Sequence, residues 1–159
     1  PPAEKDKICI VFPDDGAWKR FHTKFDKKYD IVVCHKIRDG ESRVVRIRDG
    51  SEFVPGGHCV IVDDLVKSGG TLIECALVLE KAGARLISCY VTHGVFPAES
   101  WRRFAHGPPA PKVKFHRFWM TDSIPTTAAA VRNLAPFKVL SIAPVVGQVK
   151  SAYDDGRYD

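Results

Sequence analysis

Val60-Ile61-Val62-Asp63-Asp64-Leu65-Val66-Lys67-Ser68-Gly69-Gly70-Thr71 is the most informative run in the chain. Its apolar opening, extended back to His58 and Cys59, is a short continuous hydrophobic run of the kind that forms a strand buried on both faces. Asp63 and Asp64 are then expected at the carboxyl end of that strand. Ser68, Gly69, Gly70 and Thr71 follow as a tight loop opening a helix over 72–82 that Gly83 stops. Glycines let backbone amides turn toward an anion, and the first amides of a helix have no internal partner. With the positive end of the helix dipole and the Thr71 hydroxyl, such a loop suits a phosphate monoester. It is not a Walker A loop, because Lys67 precedes the glycines and no G-K-[ST] occurs.

Carboxylates beside a phosphate cradle repel the same anion, so they call for a second group on the ligand. A sugar phosphate supplies it: the ribose diol lies close to its own phosphate, and carboxylates accept hydrogen bonds from both hydroxyls. Two acids after a strand also suit a solvated loop, and a Gly-Gly-Thr helix entry is common. Their combination in one run favours the ligand site.

Outward from this run, strand and helix signals alternate. Lys7 to Phe12 is a buried-strand pattern broken by Pro13. Asp14, Asp15 and Gly16 read as a turn, with Asp15 capping a helix through Lys28 whose Trp18, Phe21 and Phe25 share a face. Asp30 to Lys36 is a second buried strand, and Asp39-Gly40 turns into Arg43 to Arg48, which alternates like a strand with one wet face. Downstream, the expected elements are strands over 85–92, 113–121 and 138–142 and helices over 98–106, 126–134 and 144–152, with a stiff loop from Gly107 to Pro111. The expected architecture is α/β: a mostly parallel sheet flanked by helices on both faces, forming one domain over 1–152 with a flexible tail over 153–159. In such sheets ligands bind beyond the carboxyl ends of the strands.

The chain has 159 residues, 45% hydrophobic and 27% charged, which fits one self-sufficient domain and excludes wholesale disorder, collagen and coiled coil. No apolar run approaches the roughly 20 residues that cross a bilayer. Glu4, Lys5, Asp6 and Lys7 leave no signal-peptide core near the start. A soluble protein without membrane partners is expected. The opening Pro1-Pro2, without methionine, suits a processed or truncated piece of something longer. Net charge of +5 favours phosphate-bearing partners. Cys9, Cys34, Cys59, Cys75 and Cys89 contain no C-x-x-C and sit mostly in apolar runs, so they read as buried thiols of a reducing compartment, with neither a disulfide frame nor a zinc site. Arg43, Arg46 and Arg48 have no interleaved aromatic platform, so nucleic acid is not the expected partner.

The run from Val60 to Thr71 resembles the phosphoribosyl-diphosphate (PRPP) signature of the type I phosphoribosyltransferase fold. Further segments narrow the resemblance to the C-terminal half of ribose-phosphate pyrophosphokinases, and within them to the plant-type class II enzymes. They are Val11 to Arg20, Cys34-His35-Lys36-Ile37-Arg38, Tyr90-Val91-Thr92-His93-Gly94-Val95-Phe96 and Thr121-Asp122-Ser123-Ile124-Pro125. The resemblance runs from Ile8 to Val149 and carries roles with it. It implies Asp14 at magnesium or the ribose side of the site, and Lys36 and Arg38 as the catalytic basic pair that steadies a diphosphoryl group. It also implies Asp63 and Asp64 on the ribose hydroxyls, and Lys67, Ser68, Gly69, Gly70 and Thr71 around the 5′-phosphate. Lys67 departs from the acid found at that place in many members.

The activity implied is conversion of ATP and ribose 5-phosphate to PRPP and AMP, with Mg2+ as cofactor. This chain would supply the half that binds ribose 5-phosphate and PRPP. The family's adenine pocket and essential histidine belong to an N-terminal half, and none of the six histidines here matches that one. The alternatives are a non-catalytic subunit or regulatory module, and a stand-alone phosphoribosyltransferase, which would need a hood over its base. A homo-oligomer or a partner subunit is expected, in the cytoplasm or alternatively a plastid.

Overall fold

The computed structural model describes residues 7–39 and 42–154. Strands β1 (Ile8–Phe12), β2 (Asp30–Asp39), β3 (Ser42–Asp49), β4 (His58–Val66), β5 (Leu86–Gly94), β6 (Arg117–Thr121) and β7 (Phe137–Leu140) form one sheet in the order β3-β2-β1-β4-β5-β6-β7. Every neighbouring pair is parallel except β2 with β3, a hairpin at one edge. From β1 the chain winds toward β2 and β3; from β4 it winds the other way, toward β7. The adjacent carboxyl ends of β1 and β4 are therefore a topological switch point, the crevice where open α/β sheets bind ligands.

Alternation along the strands creates two apolar layers. Cys9 and Val11 of β1 and Cys59 and Ile61 of β4 join Leu72, Ile73, Cys75, Ala76 and Leu79 of helix α2 (Gly70–Lys81) in the larger core. Ile10 and Phe12 of β1 and Val62 of β4 face the other way, onto Ala17, Trp18 and Phe21 of helix α1 (Asp15–Phe21). Helices thus cover both faces, as expected. All five cysteines are buried and free. The Cys34 and Cys75 sulfurs lie 3.6 Å apart between β2 and α2.

Several elements differ from their sequence expectation. Asp14, not Asp15, is the N-cap of α1: its carboxylate accepts the Ala17 amide at 2.9 Å. Asp15 is the first helical residue and pairs with Arg48. α1 stops at Phe21, followed by a 3₁₀ turn (His22–Lys24), and the His22 ring bonds the Trp18 carbonyl at 2.7 Å. Phe25 is extended rather than helical (φ −103°, ψ 141°), yet its ring meets Phe12 at 6.0 Å. The apolar spacing is thus satisfied without a longer helix.

The helix expected over 98–106 is instead a 3₁₀ segment, Pro97–Arg103. Phe96, Ala98 and Glu99 are left-handed there (φ 42°, 50° and 55°), a conformation that costs non-glycine residues roughly 1–2 kcal/mol each. Of the strand expected over 113–121, only Arg117–Thr121 pairs, although Val113 and Phe115 are buried. Helices α3 (Pro125–Val131) and α4 (Ala143–Asp154) complete the chain. α4 carries the helix past the start of the expected tail, and 155–159 lie outside the described residues. Among the described residues, no helix is long and apolar enough to cross a membrane.

Candidate functional site

β4 does not end at the acids; it continues through Leu65 and Val66, pairing them with His93 and Gly94. The two carboxylates remain neighbours, each within reach of the other's charge. A cavity of about 210 Å3 lies at the switch point, and its lining holds Asp14, Asp63 and the whole loop from Lys67 to Thr71. Asp64 is not part of that lining. It sits instead 3.3 Å from Arg20 of α1, which also approaches Asp63 at 3.5 Å.

The loop has the conformation an anion cradle needs. Gly69 is left-handed (φ 80°) and caps α2, whose first intrahelical bond runs from the Ile73 amide to the Gly69 carbonyl at 3.0 Å. The amides of Gly70, Thr71 and Leu72 precede that bond, so they belong to the set that the helix itself cannot satisfy. A Cβ on Gly69 would lie 2.3 Å from the Phe104 ring, whereas one on Gly70 would meet nothing closer than the Ser68 hydroxyl at 4.0 Å. The loop is also held from outside. The Ser100 hydroxyl donates to the Lys67 carbonyl at 3.3 Å, and Arg103 donates to the Ser68 carbonyl at 2.6 Å. Both residues belong to the strained 3₁₀ segment.

Electrostatically, the acid side carries surplus negative charge. Burial pushes the Asp63 carboxyl up to about 6; the Asp64 amide, bonded to it at 2.9 Å, opposes this, and the charges of Asp14 and Asp64 add to the rise. Arg20 does not reverse the balance, because it is half exposed and water screens it. Among the described residues no group of three or more His, Cys, Asp or Glu side chains forms a metal cage.

Lys36 is exposed on β2 opposite Val45, on the hairpin arm rather than in the cavity wall. Arg38 follows on the same strand opposite Arg43, and its side chain lies outside the described residues. Three side chains at the site carried no sequence signal. Arg20 reads as one of several cations on the wet side of α1. Arg103 and Phe104 fall in a segment whose left-handed turns no propensity announces. The Glu-x-x-Arg pair at Glu99 and Arg102, bonded at 2.9 Å, even reads as helical.

The sequence model of the phosphoribosyl transferase domain matches residues 15–105. Ribose-phosphate pyrophosphokinase 4 of Arabidopsis thaliana is 55% identical over 140 residues, covering 88% of this chain and 41% of that protein. Ribose-phosphate pyrophosphokinase 3, chloroplastic, of the same plant is 52% identical over 152 residues, covering 94% of this chain and 35% of that protein. The crystal structure of phosphoribosylpyrophosphate synthetase from Mycobacterium smegmatis superposes with a TM-score of 0.75 at 24% identity, over 95% of this chain and 46% of that one, a likeness of fold. The chain therefore spans about two fifths of the length of the curated relatives it matches.

Proposed function

The chain belongs to the phosphoribosyl transferase domain family, and from that premise we propose that it is the half of a ribose-phosphate pyrophosphokinase that binds ribose 5-phosphate and PRPP. The complete enzyme would move the diphosphoryl group of ATP onto the 1-hydroxyl of ribose 5-phosphate and release AMP. One observation carries the proposal: the open amides of α2 and the Asp63 carboxylate line a single cavity at the switch point. Its 210 Å3 is smaller than the roughly 300–1,000 Å3 of drug-sized pockets, in keeping with one sugar phosphate.

In this reading Gly70, Thr71 and Leu72 hold the 5′-phosphate through their amides, with Lys67 and Ser68 beside them. Asp63 accepts a ribose hydroxyl, and Asp64 joins it once Arg20 gives way. Lys36 and Arg38 on the β2–β3 arm neutralise the diphosphoryl group in transit, a reaction that asks for positioning and charge compensation more than covalent help. Mg2+ suits the crowded carboxylates, since it needs only one or two from the protein, the rest coming from water and phosphate. Asp14 and Asp63 would hold it, and when bound it would offset the negative charge of the diphosphoryl oxygens. ATP would be held by a further half of the enzyme or by a partner subunit. We place the protein in the cytoplasm, with a plastid as the alternative.

Calorimetric titration with ribose 5-phosphate, and with PRPP plus Mg2+, tests the reading. Saturable binding that Asp63→Asn/Asp64→Asn abolishes is expected. No heat from the parent chain with either ligand would overturn it.

A further inference from the structure

At the amino ends of β6 and β7, away from the switch point, lies a second cavity of about 360 Å3. Its wall contains Arg117, Arg132, Asn133, Pro136, Phe137 and Lys138, and no carboxylate. Strand alternation accounts for the cations. Phe118 and Phe137 are register partners and both enter the α2-side core, their rings 5.1 Å apart. Arg117 and Lys138, each one residue away, therefore face the opposite side of the sheet together. Arg132 and Asn133 come from the turn that follows α3.

The backbone of that turn is committed inward. The Val131 carbonyl accepts the Leu134 amide at 2.9 Å, and the Leu134 carbonyl accepts the Phe137 amide at 2.9 Å. The Ala135 carbonyl accepts the His106 amide at 2.7 Å, and the Pro136 carbonyl accepts the Phe118 amide at 3.0 Å. The turn is thus pinned at four points, through the carbonyls of Val131, Leu134, Ala135 and Pro136. The polar side chains on the wall are those of Arg117, Arg132, Lys138 and Asn133. Arg117 spends one N–H on the His116 carbonyl at 3.1 Å. Asp122 feels the charge of Arg132 from outside the wall, and its carboxylate is bonded to the Ile142 amide at 3.0 Å. Among the described residues, none of the three cations forms an ion pair at contact distance.

We propose that this cavity is a second anion site, which takes the phosphoryl group of a small phosphate-bearing molecule. Two arginines and a lysine lining one concavity suit a phosphate dianion, for which guanidinium groups supply paired donors and lysine a point charge. The concavity, at the lower end of small-molecule pocket volumes, favours a compact ligand over a flat protein surface. The ligand is inorganic phosphate or a small organic phosphate such as a nucleoside monophosphate.

Amide-resolved NMR titrations of the chain test this and keep the two sites apart. Inorganic phosphate and a nucleoside monophosphate are added separately, and shifts are followed at 132–138 and at 68–72. Saturable shifts at 132–138 are expected, weakened at least about tenfold in Arg132→Gln/Lys138→Gln, with the response at 68–72 retained. The ligand that saturates at lower concentration identifies the source. Shifts confined to 68–72, a linear response at 132–138, or equal affinity in the double variant would each overturn the proposal. So would a response at 132–138 to an oligoglutamate peptide but to neither phosphate.

Discussion

Replacing Gly69 by alanine adds one methyl group at the point where the phosphate loop becomes a helix. Two costs follow from the structure. The position is left-handed, with φ at 80°, where an L-residue loses roughly 1–2 kcal/mol. The new Cβ would also stand 2.3 Å and 2.4 Å from two carbons of the Phe104 ring, which is fully buried, edge-on to Phe96 and Phe118 and tilted against Phe115. The ring cannot retreat without disturbing that cluster, and forced overpacking of this kind costs about 1–3 kcal/mol. The sum, about 2–5 kcal/mol, corresponds to a fall in Tm of roughly 4–20 °C for a chain of this size. Thermal unfolding measures it, and Gly69→Ala/Phe104→Leu should recover only the part due to the clash, leaving the backbone cost. Ribose 5-phosphate binding should weaken as well, since the Gly70 and Thr71 amides turn with residue 69. If Gly69→Ala melts within 1–2 °C of the parent and binds equally well, the geometry ascribed to this loop is wrong.

Three further outcomes are expected. Gly70→Ala meets open space and gains helix propensity, so it should fold as stably as the parent while ribose 5-phosphate binding falls at least about tenfold; unchanged affinity would mean that no ligand approaches this backbone. The Asp63 carboxyl is raised from 3.8 to about 6 by folding, so the native state binds the extra proton between those values. Stability should therefore drop as pH rises through that window and stay reduced above it, and Asp63→Asn should gain up to about 3 kcal/mol at pH 8 and almost nothing below pH 3.8 in urea unfolding. An equal gain at both pH values would show that its charge is not the cause. Arg103→Gln removes a donor from the Ser68 carbonyl, which should speed amide exchange at Gly69 and Gly70 and weaken ribose 5-phosphate by about fivefold, with global stability within about 1 kcal/mol of the parent. Unaltered exchange would show that the arginine does not hold the loop.

The parts of the fold legible in the sequence are those governed by local pattern. Continuous apolar runs such as Ile8–Phe12 and His58–Val62 give buried strands, and the Ser68–Thr71 turn gives a helix entry, because hydrophobic period and glycine placement act within a few residues. Strand order was not legible, since it depends on crossovers. Nor does local pattern show that β4 continues past both acids, an extension fixed by pairing of Leu65 and Val66 with β5. In sequence α1 reads longer than it is, because Phe25 reaches the Phe12 core as well from an extended backbone as from a helix. The segment behind the phosphate loop reads as a helix for a related reason: its left-handed residues, Ala98 and Glu99, are good helix formers held otherwise by tertiary packing.

The most direct test of the account is a crystal structure of this chain with ribose 5-phosphate. The phosphate should sit within hydrogen-bond reach of the Gly70, Thr71 and Leu72 amides, with a ribose hydroxyl on Asp63. A phosphate bound elsewhere, with the mouth of α2 empty or a ring that avoids Asp63, would contradict it.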